Sequence, residues 1–244
     1  MSLVTSLGTL TRVLETYRGK DRFIRLTSYI GMFLGGDGKT PAQLKWRIVS
    51  AELGACRTIL RLFDDIPMLL YNISIGFGLK EKGVLLPLEL LISLLNQSYY
   101  PIEHLAWLRQ KKVLGGTGAL LSLLGVANWT LSLLGEIIKS LIKLNRLSTQ
   151  ARRLHKQQEL DKDGSDSESS QNVEIKENLK KLSADRRDLM LLLLQYCADF
   201  TNAVSWLPPG ILWAQKLRPS TNGILGIVAT LIMLYRNWPS SVKT

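Results

Sequence analysis

Apolar positions along this chain recur at helical rather than strand-like intervals. Leu3, Leu7, Leu10, Leu14 and Tyr17 repeat over four turns with polar residues between them, the period of one face of an amphipathic helix. The charged run Arg18-Gly19-Lys20-Asp21-Arg22 interrupts that pattern, and a second helix follows through Phe23, Leu26, Ile30 and Leu34. Glycines between 35 and 38 end it, and Pro41 opens the next helix. Gly36-Asp37-Gly38-Lys39-Thr40 imitates the tail of a phosphate-binding loop, yet Phe33 stands where the motif needs its first glycine and no strand precedes it. It reads as a connection between helices. No segment alternates with a strand's period of two, so the expected fold class is all-α.

The helix expected over 41–63 divides sharply into two faces. Projected at ~100° per residue, Gln43, Arg47, Ser50, Gly54, Arg57, Thr58 and Arg61 share one polar arc. Leu44, Ile48, Ala55, Ile59, Leu60, Leu62 and Phe63 lie opposite, with Lys45 and Glu52 intruding. Arginines over a broad apolar face suit a helix lying in a membrane interface. A helix of a bundle with a solvated basic face fits the same wheel. The candidate membrane-active set here is Lys45, Trp46, Arg47, Ile48, Arg57, Ile59, Leu60, Arg61 and Phe63.

A further helix is expected from about 85 to 108, with a break or kink at Tyr99-Tyr100-Pro101. Residues 113–135 then run for 23 positions without a charge. At ~1.5 Å per residue they cover roughly 34 Å, enough for a ~30 Å hydrocarbon core. Val113, Leu120, Leu124, Trp129 and Leu134 are the candidate span residues, while Gly115, Gly118, Ser122 and Gly125 would let another helix approach closely. Residues 219–235, bounded by Arg218 and Arg236 with Trp238 just beyond, read as a second, shorter span. A membrane-embedded hairpin is the alternative there. The expected organisation is an amphipathic region (1–112), a first span (113–138), a basic helix (139–158), an acidic, serine-rich flexible linker (159–172), a helical region (173–218) and the second apolar segment (219–238). The whole reads as a helical integral membrane protein.

Composition narrows the partner. A formal charge of +11 and a pI of about 9.7 call for an anionic surface. With long apolar segments present and no nucleic-acid-binding motif, that surface is an anionic phospholipid membrane rather than nucleic acid. Catalytic patterning is missing. His104 and His155 lie far apart, Glu103 and His104 are adjacent and so diverge by ~100° on a helix, and no nucleophile or metal-spaced motif occurs. Cys56 and Cys197 form no paired motif. No enzyme activity, cofactor or metal is expected.

Four ordered stretches carry a resemblance. They are Leu14-Glu15-Thr16-Tyr17-Arg18-Gly19-Lys20-Asp21-Arg22, Cys56-Arg57-Thr58-Ile59-Leu60-Arg61-Leu62-Phe63-Asp64-Asp65, Tyr99-Tyr100-Pro101-Ile102-Glu103-His104-Leu105-Ala106-Trp107, and Asn202-Ala203-Val204-Ser205-Trp206-Leu207-Pro208-Pro209-Gly210. Together they resemble the peroxin-eleven family, particularly its gamma-type members, over nearly the whole chain outside the linker. The resemblance implies a peroxisomal membrane protein that elongates the organelle membrane before division. It also implies homo- or hetero-oligomers with related members, fission adaptors and a dynamin-type GTPase as partners, and a multi-pass topology with both termini in the cytosol. The helix at 41–63 falls where that family's membrane-remodelling helix is expected. Charge bias around the first span points the other way, placing the connecting loop in the cytosol. Insertion into peroxisomes after synthesis need not follow that bias, so the family's topology is the expectation here. An oligomeric metabolite channel and a passive membrane adaptor are the competing functions.

Overall fold

The computed structural model describes residues 3–164 and 170–238, and among these the regular structure is helical throughout. Helix α1 is Leu3–Glu15, α2 Tyr17–Gly35, α3 Pro41–Arg61, α4 Asp65–Ser74, α5 Leu85–Gln110, α6 Ala119–Gly164, α7 Ser170–Ser205 and α8 Pro219–Arg236. The starts have local causes. Thr16 caps α2 by accepting from the Gly19 amide. Thr40 and Gln43 form a reciprocal capping box at α3, with Pro41 in the first turn. The glycine loop 36–39 is therefore a helix connection, as its sequence suggested.

Helices pair in the order α3–α2–α8–α7–α6–α5. Close approach of α2 and α8 depends on glycine: a Cβ at Gly223 would lie 2.6 Å from the Phe33 amide nitrogen, and one at Gly226 would fall on the Tyr29 ring. The circuit closes through side chains. Helices α3 and α5 make no extended backbone contact, but Arg61 reaches Glu103, and the His104 ring lies 2.9 Å from the Leu62 carbonyl.

What is buried and what is exposed are inverted relative to a soluble domain. Among the described residues, those shielded from the surroundings include Arg25, Asn72, Glu89, Asn128, Asp199, Asn202 and Thr230, at least as many polar side chains as apolar ones. Large apolar side chains such as Ile48, Phe63, Ile66, Leu70, Leu120, Leu131 and Leu231 point outward. Buried polar groups beneath many outward apolar side chains mark a protein part of whose surface meets hydrocarbon. Helix α6 is long and apolar enough to cross a membrane. Only 33% of its apolar window is buried within the chain, whereas the core helix of a soluble protein would be mostly covered.

Several expectations shift. The first span starts at Ala119, not Val113, because residues 111–118 form turns with Lys112 and Gly116 at positive φ. Val113 therefore sits in a loop, 67% exposed. The uncharged helical stretch 119–135 covers only ~25 Å at ~1.5 Å per residue, and α6 runs on past Glu136 and Lys139, which are ion-paired within the chain. Helix α8, expected as the second span, does not meet the same length and apolarity measure. Its first turn is polar, and the Asn222 carbonyl there accepts from the buried Asn202 side chain. Helix α5 continues through Pro101, with Tyr99 donating to Glu103 across that turn. The linker placed at 159–172 is helical at its two ends, up to Gly164 and from Ser170; residues 165–169 lie outside the described residues.

Replacing a helical glycine by alanine ordinarily favours the helix by up to ~1 kcal/mol. Gly223→Ala should do the reverse, because the new methyl meets backbone rather than a movable side chain; a net loss of about 1–3 kcal/mol is expected. Gly8→Ala, with nothing within 4 Å of the new atom, should be neutral or stabilising. Thermal unfolding of the two variants in detergent micelles measures the difference.

Candidate functional site

The polar arc of α3 faces into the chain from Ser50 to Arg61, while Arg47 stays exposed. Its outer face carries Leu44 (50% exposed), Ile48 (63%) and Ile59 (48%), with Trp46 and Val49 beside them. Phe63, 72% exposed, stands just past the helix end and continues this surface. Leu60 is half-covered, and its carbonyl accepts from the Tyr17 hydroxyl. Lys45 is exposed. Inward, Ser50 and Ser28 exchange hydrogen bonds with each other's carbonyls at 2.8 and 3.0 Å, locking α3 onto α2.

The arginines of the arc are engaged within the chain. Arg57 donates from Nε to Asp21 of α2 at 2.9 Å. Arg61 chelates Glu103 of α5, its Nε lying 3.1 and 3.0 Å from the two carboxylate oxygens. Arg47 reaches the Asp37 carbonyl at 3.4 Å. Expected from the wheel as a set, Arg57 and Arg61 thus serve as ties between helices, and Asp65, next to them in the chain, meets the His104 Nε2 at 3.2 Å. A fourth tie was not foreseen: Arg25 of α2, stacked 5.5 Å over the Tyr29 ring, pairs with Asp199 of α7, both almost wholly buried. Its only sequence signal is a lone charge in each of two otherwise apolar helical stretches.

Between the paired helices lies a cavity of about 870 Å³. Arg25, Arg47, Arg57 and Arg61 line the side formed by α2 and α3. Trp107, Leu121, Val126, Trp129 and Trp206 line the side formed by α5, α6 and the turn after α7. Trp129 and Trp206 stack with centroids 5.7 Å apart, so Trp129 of the expected span faces a neighbour, while Leu120, Leu124 and Leu134 face outward. At the far end of α8, Arg236 clasps Asp188 through two 2.8 Å bonds and holds that carboxyl below the ordinary carboxylate range. Among the described residues no cluster of three His, Cys, Asp or Glu could hold a metal.

An all-helical chain with an outward apolar surface, an ion-paired interior and a membrane-crossing helix defines a helical membrane protein. The chain belongs to the family described as peroxisomal biogenesis factor 11 (PEX11), which matches residues 7–238, and it is accordingly a peroxisomal membrane protein. It is 32% identical to human peroxisomal membrane protein 11C over 240 residues, covering 96% of this chain and 95% of that protein. The mouse protein of the same name is 33% identical over 233 residues, covering 93% and 92%. These agree with the gamma-type resemblance. No solved structure matches the chain.

Removing one member of a buried ion pair leaves the other charge uncompensated and costs about 3–5 kcal/mol. Asp199→Leu and Arg25→Met should each lose that much. The double variant should recover most of the loss, because two apolar side chains leave no charge behind. A double-mutant cycle on unfolding in detergent checks this; additive losses would show that the two groups do not act as a pair.

Proposed function

We propose that the chain elongates the peroxisomal membrane ahead of division by pressing the apolar face of α3 into one leaflet. The supporting observation is the outward row Leu44, Ile48 and Ile59, continued by Phe63 past the helix end, on a helix whose Arg57 and Arg61 are turned inward. Held rigidly by α2, such a face displaces lipid from one leaflet, expands it and favours curvature. Exposed Lys45 on the flank adds attraction to anionic headgroups. Self-association, fission adaptors and a dynamin-type GTPase complete the reading, with both termini cytosolic and α8 as the second membrane-embedded element. This division of labour makes the chain a membrane-shaping factor and not an enzyme. An oligomeric metabolite channel is the second reading; the arginine-lined side of the cavity favours it, and solute flux through reconstituted vesicles would test it.

Each large apolar side chain seated in lipid contributes ~1.5–3 kcal/mol, against ~1 kcal/mol for a basic residue near an anionic surface. Because Ile59 is half exposed, Ile59→Glu should leave the purified protein folded in detergent, where water reaches the new carboxylate, with an unfolding midpoint only modestly lowered. It should nevertheless abolish tubulation of anionic vesicles and organelle elongation in cells. Lys45→Ala should only weaken tubulation, an effect that high salt removes by screening. Undiminished tubulation by stable, full-length Ile59→Glu would refute the wedge.

A further inference from the structure

The cavity is two-sided in its chemistry, and neither side is explained by α3 acting on a leaflet. We propose that it is a binding site for an amphiphilic anion: one carboxylate or phosphate head group carried on an apolar chain. Three of its four arginines already have carboxylate partners in Asp199, Asp21 and Glu103. Arg47, exposed at the rim, touches a backbone carbonyl instead. One anion therefore balances what the lining leaves over, and a guanidinium offers the planar fork that carboxylates and phosphates accept from.

The other side excludes an inorganic ion as the sole occupant. Trp107, Trp129, Trp206, Leu121 and Val126 offer an apolar and aromatic surface that a hydrated ion would leave unused. A volume near 870 Å³ falls in the ~300–1,000 Å³ range of small-molecule sites. The route in is the seam between α3 and α5, where helices bridged only by side chains leave a lateral way from the surrounding hydrocarbon. Head group toward Arg47 and tail along the tryptophans uses both sides at once.

Tail-brominated oleate and tail-brominated phosphatidate, titrated separately into the full-length protein in neutral detergent, distinguish a single-chain ligand from a bilayer lipid through quenching of tryptophan fluorescence. Saturable quenching by either, reversed by the unbrominated compound, is expected. Arg47→Glu should weaken it about tenfold or more, the loss of one charge-assisted contact. Gly54→Leu supplies an independent test. A Cβ there has only the Ser28 hydroxyl, at 4.0 Å, for company, and the residue lines the cavity, so leucine fills the space without touching a charge. That variant should keep its unfolding midpoint and lose the saturable component. Quenching that rises with detergent mole fraction identically in wild type and both variants overturns the proposal. So does displacement by inorganic phosphate at the same concentration as the amphiphile, which would make the cavity a site for a soluble anion.

Discussion

A charged side chain cannot be left in hydrocarbon without a partner, and the arrangement of these helices follows from that constraint. Arg25, Arg57 and Arg61 lie in helices that carry many apolar side chains on their outer faces, and each turns inward onto a carboxylate of another helix. Those three contacts tie α2 to α7, α3 to α2 and α3 to α5. The outward apolar row of α3 is then what remains once these three arginines have been turned inward. Glycines at 223 and 226 allow α8 to approach α2 closely enough for the buried Arg25 to sit between α2 and α7.

The same constraint accounts for the cavity. Arginine and tryptophan side chains are too bulky and too unlike to fill a core as leucines do, so helices joined by long ion pairs enclose space between them. Within a soluble protein a polar void of this size would fill with water. Here its walls divide into an arginine side and a tryptophan side, which fits a molecule divided in the same way.

The all-α class, the two faces of α3 and several helices were legible in the sequence, since spacing alone determines which residues share a face; α4 and the start of α6 were not. Where a face points was not. A helical wheel for 41–63 is the same whether Arg57 meets headgroups or Asp21, and the partner lies 36 residues away in another helix. The four stretches that resemble the family hold the answer in hindsight: Asp21, Arg57, Arg61, Asp65, Glu103 and His104 come from three of them and contact one another. Residues 113–118 misled for a different reason. Absence of charge measures compatibility with lipid, whereas Gly115, Gly116 and Gly118 decide backbone conformation, and Gly116 at positive φ keeps this segment out of the helix.

Helix α3, as proposed, turns its apolar face to lipid and the polar face from Ser50 to Arg61 to the interior of the chain. Spin labels placed one at a time by Ile48→Cys, Ile59→Cys and Gly54→Cys, with Cys56 and Cys197 changed to Ser, test it in reconstituted membranes. Frequent collisions with dissolved oxygen and few with a water-soluble nickel chelate are expected at positions 48 and 59, and little collision with either reagent at 54. Free access of the nickel chelate at position 54, the pattern of a helix lying flat with its arginines in open water, would contradict it.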